Sequence, residues 1–344
     1  MGLMRLFCYN ACMNHIFSLI EKGNIVDYMP ERPEIITTVI SRVFLFSQNK
    51  KALKVYKRDS SYWNENFFDL SGGEYRRKFI REDFEWNHFF NPEVYLRLCE
   101  MNVTGAGVEL RNAGESDELA IEMKLIDSSY FLLSLLASED CSLDNDDFFS
   151  IGQQFAVTKD GFGQKPGIDK NWFEIFGERI IDVVVWVGAV SSFTPEVISE
   201  LKGYLEAYAE KNRKRFESLG KNEMVVSIDV HGENAMYRDG KLSLIDICLP
   251  KEIWRLAPKE LDIMRIGIDI FVLRGKEAFR SYLSGVKSRV SFDFIDVPMY
   301  FVYLSAVMSC YEFTLSQGDP NKKIVAEKYF AFFQEHLASA KQSL

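Results

Sequence analysis

The sequence predicts an α+β chain: a β-rich first lobe, residues 1–126, followed by a mainly helical second lobe, residues 127–344, carrying one small hairpin. Three observations predict it. Segments dense in β-branched and aromatic residues crowd the first third of the chain. Stretches with apolar residues at helical spacing fill most of the rest. One run, VVSIDVHGENAMYRDGKLSLIDICLP at 225–250, interrupts those helices with short strands and sets four acids between two apolar segments.

The elements follow in order. The first twenty residues, MGLMRLFCYNACMNHIFSLI, read as a short helix or a disordered start. TTVISRVFLFS (37–47) reads as a strand, QNKK as a polar turn and ALKVYKR (52–58) as the partner strand, which places Lys54 inside a hairpin. GEYRRKFIREDFEWNHFF (73–90) has Phe79, Ile80, Phe84, Trp86 and Phe90 at helical spacing and stops at Asn91-Pro92, a good terminator. VYLRLCEMNV and ELAIEMKLID read as two further strands around a glycine-rich turn at 105–107, and a hinge is expected near Lys124–Asp127. Beyond it SYFLLSLLAS and DDFFSIGQQFAV are helix-like, and 195–219 reads as one long helix opening at Pro195. AMY-RDGK-LSLID is a hairpin in which Asp239-Gly240 supplies residues tolerant of positive φ. The tail from 259 to 344 is again helical.

Composition narrows the function classes. The 344 residues are 47% hydrophobic and 14% aromatic, which describes a globular chain. A net charge of −9 argues against general nucleic-acid binding, which needs a basic face. The six cysteines form no CxxC pair and read as reduced, mostly buried thiols of a cytoplasmic protein. None of the four histidines has the spacing of a zinc site. The most apolar run, IIDVVVWVGAV, is too short to span a membrane and contains Asp182. Asn10, Asn14 and His15 break any signal-peptide core, and Leu6 stands where a myristoylation motif needs Ser or Thr.

Four stretches in order, TTVISRVFL, ALKVYK, REDFEWNHFFNPEVYL and SIDVHGENAMY…LIDICLP, resemble a bacterial family of aminoglycoside-phosphotransferase-like proteins. That family lies in the aminoglycoside and choline phosphotransferase branch of the bilobal protein-kinase-like fold. The resemblance spans residues about 36 to 275. Its catalytic-loop spacing agrees, since kinases place a base Asp five positions before a metal-binding Asn and Asp229 precedes Asn234 by five. The resemblance implies ATP and Mg²⁺ as cofactors and a small-molecule hydroxyl as acceptor. It assigns Asp229 to orient and deprotonate that hydroxyl, Asn234 and Asp246 to the metal, and Lys54 to the α- and β-phosphates. The acid holding the lysine falls at Glu82 or Asp83, with Glu82 preferred for its longer arm.

Each residue also has a plain structural reading. Lys54 lies in a basic segment with Lys51, Lys57 and Arg58, and Glu82 lies on a charged helix. His231 reads as a structural hydrogen-bonding group, and Asp239 as a turn residue. The family's HGD is SID here, with Ser227 in place of a bracing histidine, and FSQNKKA stands where a glycine-rich phosphate loop would be. Three functions therefore compete: a small-molecule O-kinase, an atypical protein kinase, and a pseudokinase that binds nucleotide or a partner without transfer. The intact set Lys54, Asp229, Asn234 and Asp246 favours the enzyme.

Overall fold

The computed structural model describes residues 13–38, 40–66, 68–158, 167–228, 230–247, 252–291, 294–315 and 320–342. These form two compact units, one within 1–128 and 244–250, the other within 129–243 and 251–344. Leu6, Asn10 and Asp229, singled out in the sequence, lie outside the described residues, as do three of the six cysteines, Cys8, Cys12 and Cys248. Cys99, Cys141 and Cys310 are free thiols.

The first unit begins with a helix over residues 13–21 (α1). Its sheet follows: β1 (Glu34–Thr37), β2 (Ser41–Phe46), β3 (Lys51–Tyr56), then helices α2 (Ser61–Asn66) and α3 (Gly73–Phe90), then β4 (Tyr95–Thr104), β5 (Gly107–Asn112) and β6 (Leu119–Lys124). The order across the six-stranded sheet is β1-β2-β3-β6-β4-β5, with every pairing antiparallel. The predicted hairpin is β2–β3, in register Val43↔Lys54 and Phe44↔Leu53. Two details differ from the prediction. The single strand read over 37–47 is divided, because Thr38 Oγ1 accepts the backbone N–H groups of Ile40 and Ser41 and turns the chain there. GVELRN, to which the prediction gave no strand, pairs along β4 as β5 after a turn completed by Gly107 at φ 136.

Strand alternation sets the two faces of this sheet. Leu53 and Val55 point to one face and join Phe44, Phe46, Cys99, Met101, Val108, Leu110 and Ala120. That face is covered by Met13, Ile16, Phe17 and Ile20 of α1, with Ile25 behind them. The helical start was one of two readings, and its place in the core was not foreseen. Lys54 and Tyr56 point the other way, toward α3. Arg76 of α3, fully buried, ties the helix to the end of β3 by donating to the Tyr56 carbonyl at 2.8 Å and the Leu70 carbonyl at 3.0 Å.

The second unit contains α4 (Leu132–Ala137), α5 (Asn145–Thr158), α6 (Trp172–Gly188), α7 (Pro195–Lys211), α8 (Arg213–Ser218), β7 (Val225–Val226), β8 (Ala235–Arg238), β9 (Lys241–Leu244), β10 (Leu256–Ala257), α9 (Lys259–Lys287), α10 (Val297–Leu315) and α11 (Pro320–Lys341). β7 pairs with β10. β8 and β9 are the predicted hairpin, with Asp239 at φ 52 and Gly240 at φ 73 in its turn. The helix predicted over 195–219 breaks at Asn212, whose φ of −103 and ψ of 12 part α7 from α8. No helix among the described residues is long and apolar enough to cross a membrane.

Candidate active site

In the first unit, Lys54 Nζ lies 2.5 Å from Asp246 Oδ1 and 3.3 Å from Asp83 Oδ2. The structure thus brings together two residues 192 positions apart in the chain. It also corrects the helix acid: Asp83, not Glu82, meets the lysine. Successive helical residues are turned by about 100°, and Asp83 shares the inward face of α3 with Arg76, Phe79, Ile80 and Asn87. Glu82 lies on the half-exposed flank. Tyr56 donates a second hydrogen bond to Asp83 Oδ2 at 2.7 Å.

Exposure divides the three charges. The Lys54 side chain is 7% exposed and Asp83 0%, but Asp246 is 55% exposed, so one carboxylate of the chain faces solvent. Burial pulls the Lys54 ammonium down; the Asp246 and Asp83 carboxylates outweigh it and hold the lysine charged, well above its ordinary range. Burial pushes Asp83 up, and Lys54 only partly restores it. Asp246 itself sits in left-handed backbone at φ 50, a costly conformation for a residue with a Cβ.

In the second unit, Asn234 ends a short 3-10 turn, Gly232–Asn234, immediately before β8. Asp229, the predicted base, lies outside the described residues. The loop around both is held by two acids that sequence reasoning missed. Asp262 accepts the Ser227 hydroxyl and, at 3.3 Å, the Ile228 N–H. Asp269 accepts the Gly232 N–H at 2.6 Å and the Tyr329 hydroxyl at 2.6 Å. Both are fully buried, seven residues apart on α9 and therefore on one face. Their signal was in ELDIMRIGIDIF, where two carboxylates interrupt an apolar run at a two-turn interval. Gly232 fits because a Cβ there would come within 3.0 Å of the Leu133 backbone nitrogen.

Beside this loop, Glu233 accepts from Lys322 Nζ at 2.8 Å and from the Tyr311 hydroxyl at 3.1 Å. Neighbouring Glu312 is buried, and among the described residues neither of its carboxylate oxygens has a hydrogen-bond partner. Burial, reinforced by the Glu233 charge, pushes its carboxyl up to about 8. Among the described residues no group of three or more His, Cys, Asp or Glu side chains is placed to enclose a metal by itself.

No protein-family model and no curated protein sequence matches the chain. Among solved structures it is similar to the aminoglycoside phosphotransferase APH(3'')-Id from Streptomyces rimosus, at 14% identity over 86% of this chain and 97% of that one, with a TM-score of 0.50. It is also similar to choline kinase from Cryptosporidium parvum, at 9% identity over 96% of each chain, with a TM-score of 0.50. The chain has the protein-kinase-like fold, with a β-rich first unit and a mainly helical second. Within that class its architecture is the one shared by aminoglycoside phosphotransferases and choline kinase.

Proposed function

We propose that the protein is an ATP- and Mg²⁺-dependent O-phosphotransferase acting on a hydroxyl group of a small molecule. The observation that carries this reading is the Lys54 ammonium, buried between a buried carboxylate and an exposed one. An aminoglycoside phosphotransferase and a choline kinase of the same fold support it. The donor set fits a metal–nucleotide. Mg²⁺ is commonly bound through one or two carboxylates, with phosphate oxygens and waters completing its shell; Asp246 offers a hard, exposed oxygen of that kind.

In this reading Lys54 holds the α- and β-phosphates and Asp83 keeps the lysine in place. Asp246 and Asn234 hold the metal, which when bound neutralises charge on the transferring phosphate. Asp229 orients the acceptor hydroxyl and takes its proton as the hydroxyl oxygen bonds to the γ-phosphorus. The bond from that phosphorus to the β-phosphate oxygen breaks, and ADP leaves. The pseudokinase reading drew on the change from HGD to SID. Ser227 weakens that argument, because its hydroxyl and the next amide are bound by Asp262 and the loop keeps a brace without histidine.

The test is binding before chemistry. ATP with Mg²⁺ should raise the melting temperature, because a ligand of the folded state stabilises it by mass action. Asp246→Ala should abolish the magnesium-dependent part of that rise. A parent protein unmoved by millimolar ATP would end both the enzyme reading and the nucleotide-binding pseudokinase.

A further inference from the structure

Residues 245–247 lie beyond the end of β9, and among the described residues no strand pairs with them. Side chains serve them instead. The Tyr95 hydroxyl accepts the Asp246 N–H at 2.7 Å. Asn87 Oδ1 accepts the Ile247 N–H at 2.7 Å, and Asn87 Nδ2 donates to the Ile247 carbonyl at 3.2 Å. One amide side chain thus grips both polar groups of the residue after Asp246, as a paired strand would. Asn87 is 0% exposed and Tyr95 3%, so water does not compete for these bonds.

The grip surrounds an unusual conformation. A residue with a side chain stays in left-handed backbone only where its surroundings over-determine it, and Asp246 at φ 50 is gripped on both sides of its Cα. The same Asn87 amide also reaches Asp83 Oδ1 at 3.1 Å and the Asp83 carbonyl at 2.8 Å. The acid that holds Lys54 and the clasp that holds Asp246 are therefore one helical turn apart on α3 and share a hydrogen-bonding group.

We infer that Asn87 and Tyr95 are positioning residues for Asp246: they fix its backbone so that its carboxylate is presented to a metal-bound nucleotide, and they tie that pose to the Lys54–Asp83 pair. The inference rests on the nucleotide reading above and adds two residues to it. Groups behind a metal ligand typically change metal affinity by about 10–100-fold when removed. A residue that merely fills the core would instead change stability alone.

The experiment measures ATP affinity by calorimetry with and without Mg²⁺, together with the ligand-free melting temperature, for the parent, Tyr95→Phe, Asn87→Leu and Asn91→Ala. Asn91 Nδ2 makes a longer, weaker buried bond to the Leu244 carbonyl at 3.5 Å, two residues short of Asp246, and serves as the control. Tyr95→Phe should weaken Mg²⁺-dependent ATP binding about 10–100-fold and leave Mg²⁺-free binding, which reads Lys54, at the parent value; Asn87→Leu, which also releases Asp83, should cost more with Mg²⁺ than without it. Asn91→Ala should lower only the melting temperature. Should Asn87→Leu not fold, Tyr95→Phe, which deletes a single oxygen, decides the matter. Equal losses with and without Mg²⁺, or an unchanged magnesium dependence, overturn the inference while the parent still binds MgATP. A parent that binds no MgATP withdraws the nucleotide reading itself, and the inference with it.

Discussion

The two units hold their candidate residues by different means. In the first, the side chains of Lys54, Asp83 and Asp246 meet through charge, with one cation between two carboxylates and one end open to solvent, over a backbone that Asn87 and Tyr95 hold. In the second, the loop bearing Asn234 is fixed by hydrogen bonds from its backbone and Ser227 into two buried acids on α9. Charge suits a place where another charged group must enter, because a new cation or phosphate can replace an existing partner. Amide-to-carboxylate bonds suit a loop that has only to keep its shape.

The largest effect that would sharpen this contrast is chemical. Asp229→Asn should slow turnover by about 10²–10⁴-fold, the usual worth of general-base help, with nucleotide affinity unchanged. ATP hydrolysis to water is a usable readout before an acceptor is found. An unchanged background rate, with no acceptor emerging from a metabolite screen, would count for the pseudokinase. Next in size, Lys54→Met leaves Asp83 buried without its cation. Breaking a buried pair from one side typically costs about 3–5 kcal/mol. Lys54→Met with Asp83→Asn should recover much of that in denaturant titrations; no recovery would mean that charge is not what holds this half.

In the second unit, Asp262→Ala strands the Ser227 hydroxyl and the Ile228 amide, each worth about 1–3 kcal/mol when buried without a partner. Asp262→Asn keeps an acceptor and should lose less. Equal losses in the two variants would show that packing, rather than these bonds, shapes the loop. The last effect is a pH dependence. Burial first, and then the Asp296 charge, push Glu260 up from 4.5 to about 8. Between those values the unfolded chain releases this proton and the folded chain keeps it, so this group's contribution to stability falls as pH rises from about 4.5 to about 8. Glu260→Gln retains an acceptor for the Asp296 N–H, bound at 3.1 Å. Its stability relative to the parent should improve between pH 5 and pH 8; a constant difference would show that Glu260 does not titrate there.

The parts legible in the sequence are those where spacing or composition carries a mechanism. Lys54 is marked by its place inside a strand that mixes apolar and basic residues, and Asp239-Gly240 by the backbone it tolerates. The missed residues are polar groups facing inward. Reading α3 by its apolar residues selected Phe84, Trp86 and Phe90, whereas the buried face carries Arg76, Asp83 and Asn87 beside Phe79 and Ile80. Each of the three polar residues is satisfied by backbone or by an opposite charge, and hydrophobicity alone cannot register such satisfaction. Asp262 and Asp269 were missed for the same reason. The break at Asn212 has neither glycine nor proline to announce it, and β5 was given no element because half of its residues are polar.

The helix at residues 13–21 has a consequence for protein production. Its apolar side chains, with Ile25, close the face formed by Phe44, Phe46, Leu53 and Val55, and Arg42 adds an ion pair to Glu21 at 2.7 Å while lying 4.5 Å over the Phe17 ring. A polypeptide initiated at Met29 would keep every candidate active-site residue and lose this cover. Its sheet would present a continuous greasy surface to other copies of itself, the kind of patch that drives self-association. Such a shortened product would be expected in inclusion bodies, with every candidate group encoded and no soluble molecule to assay.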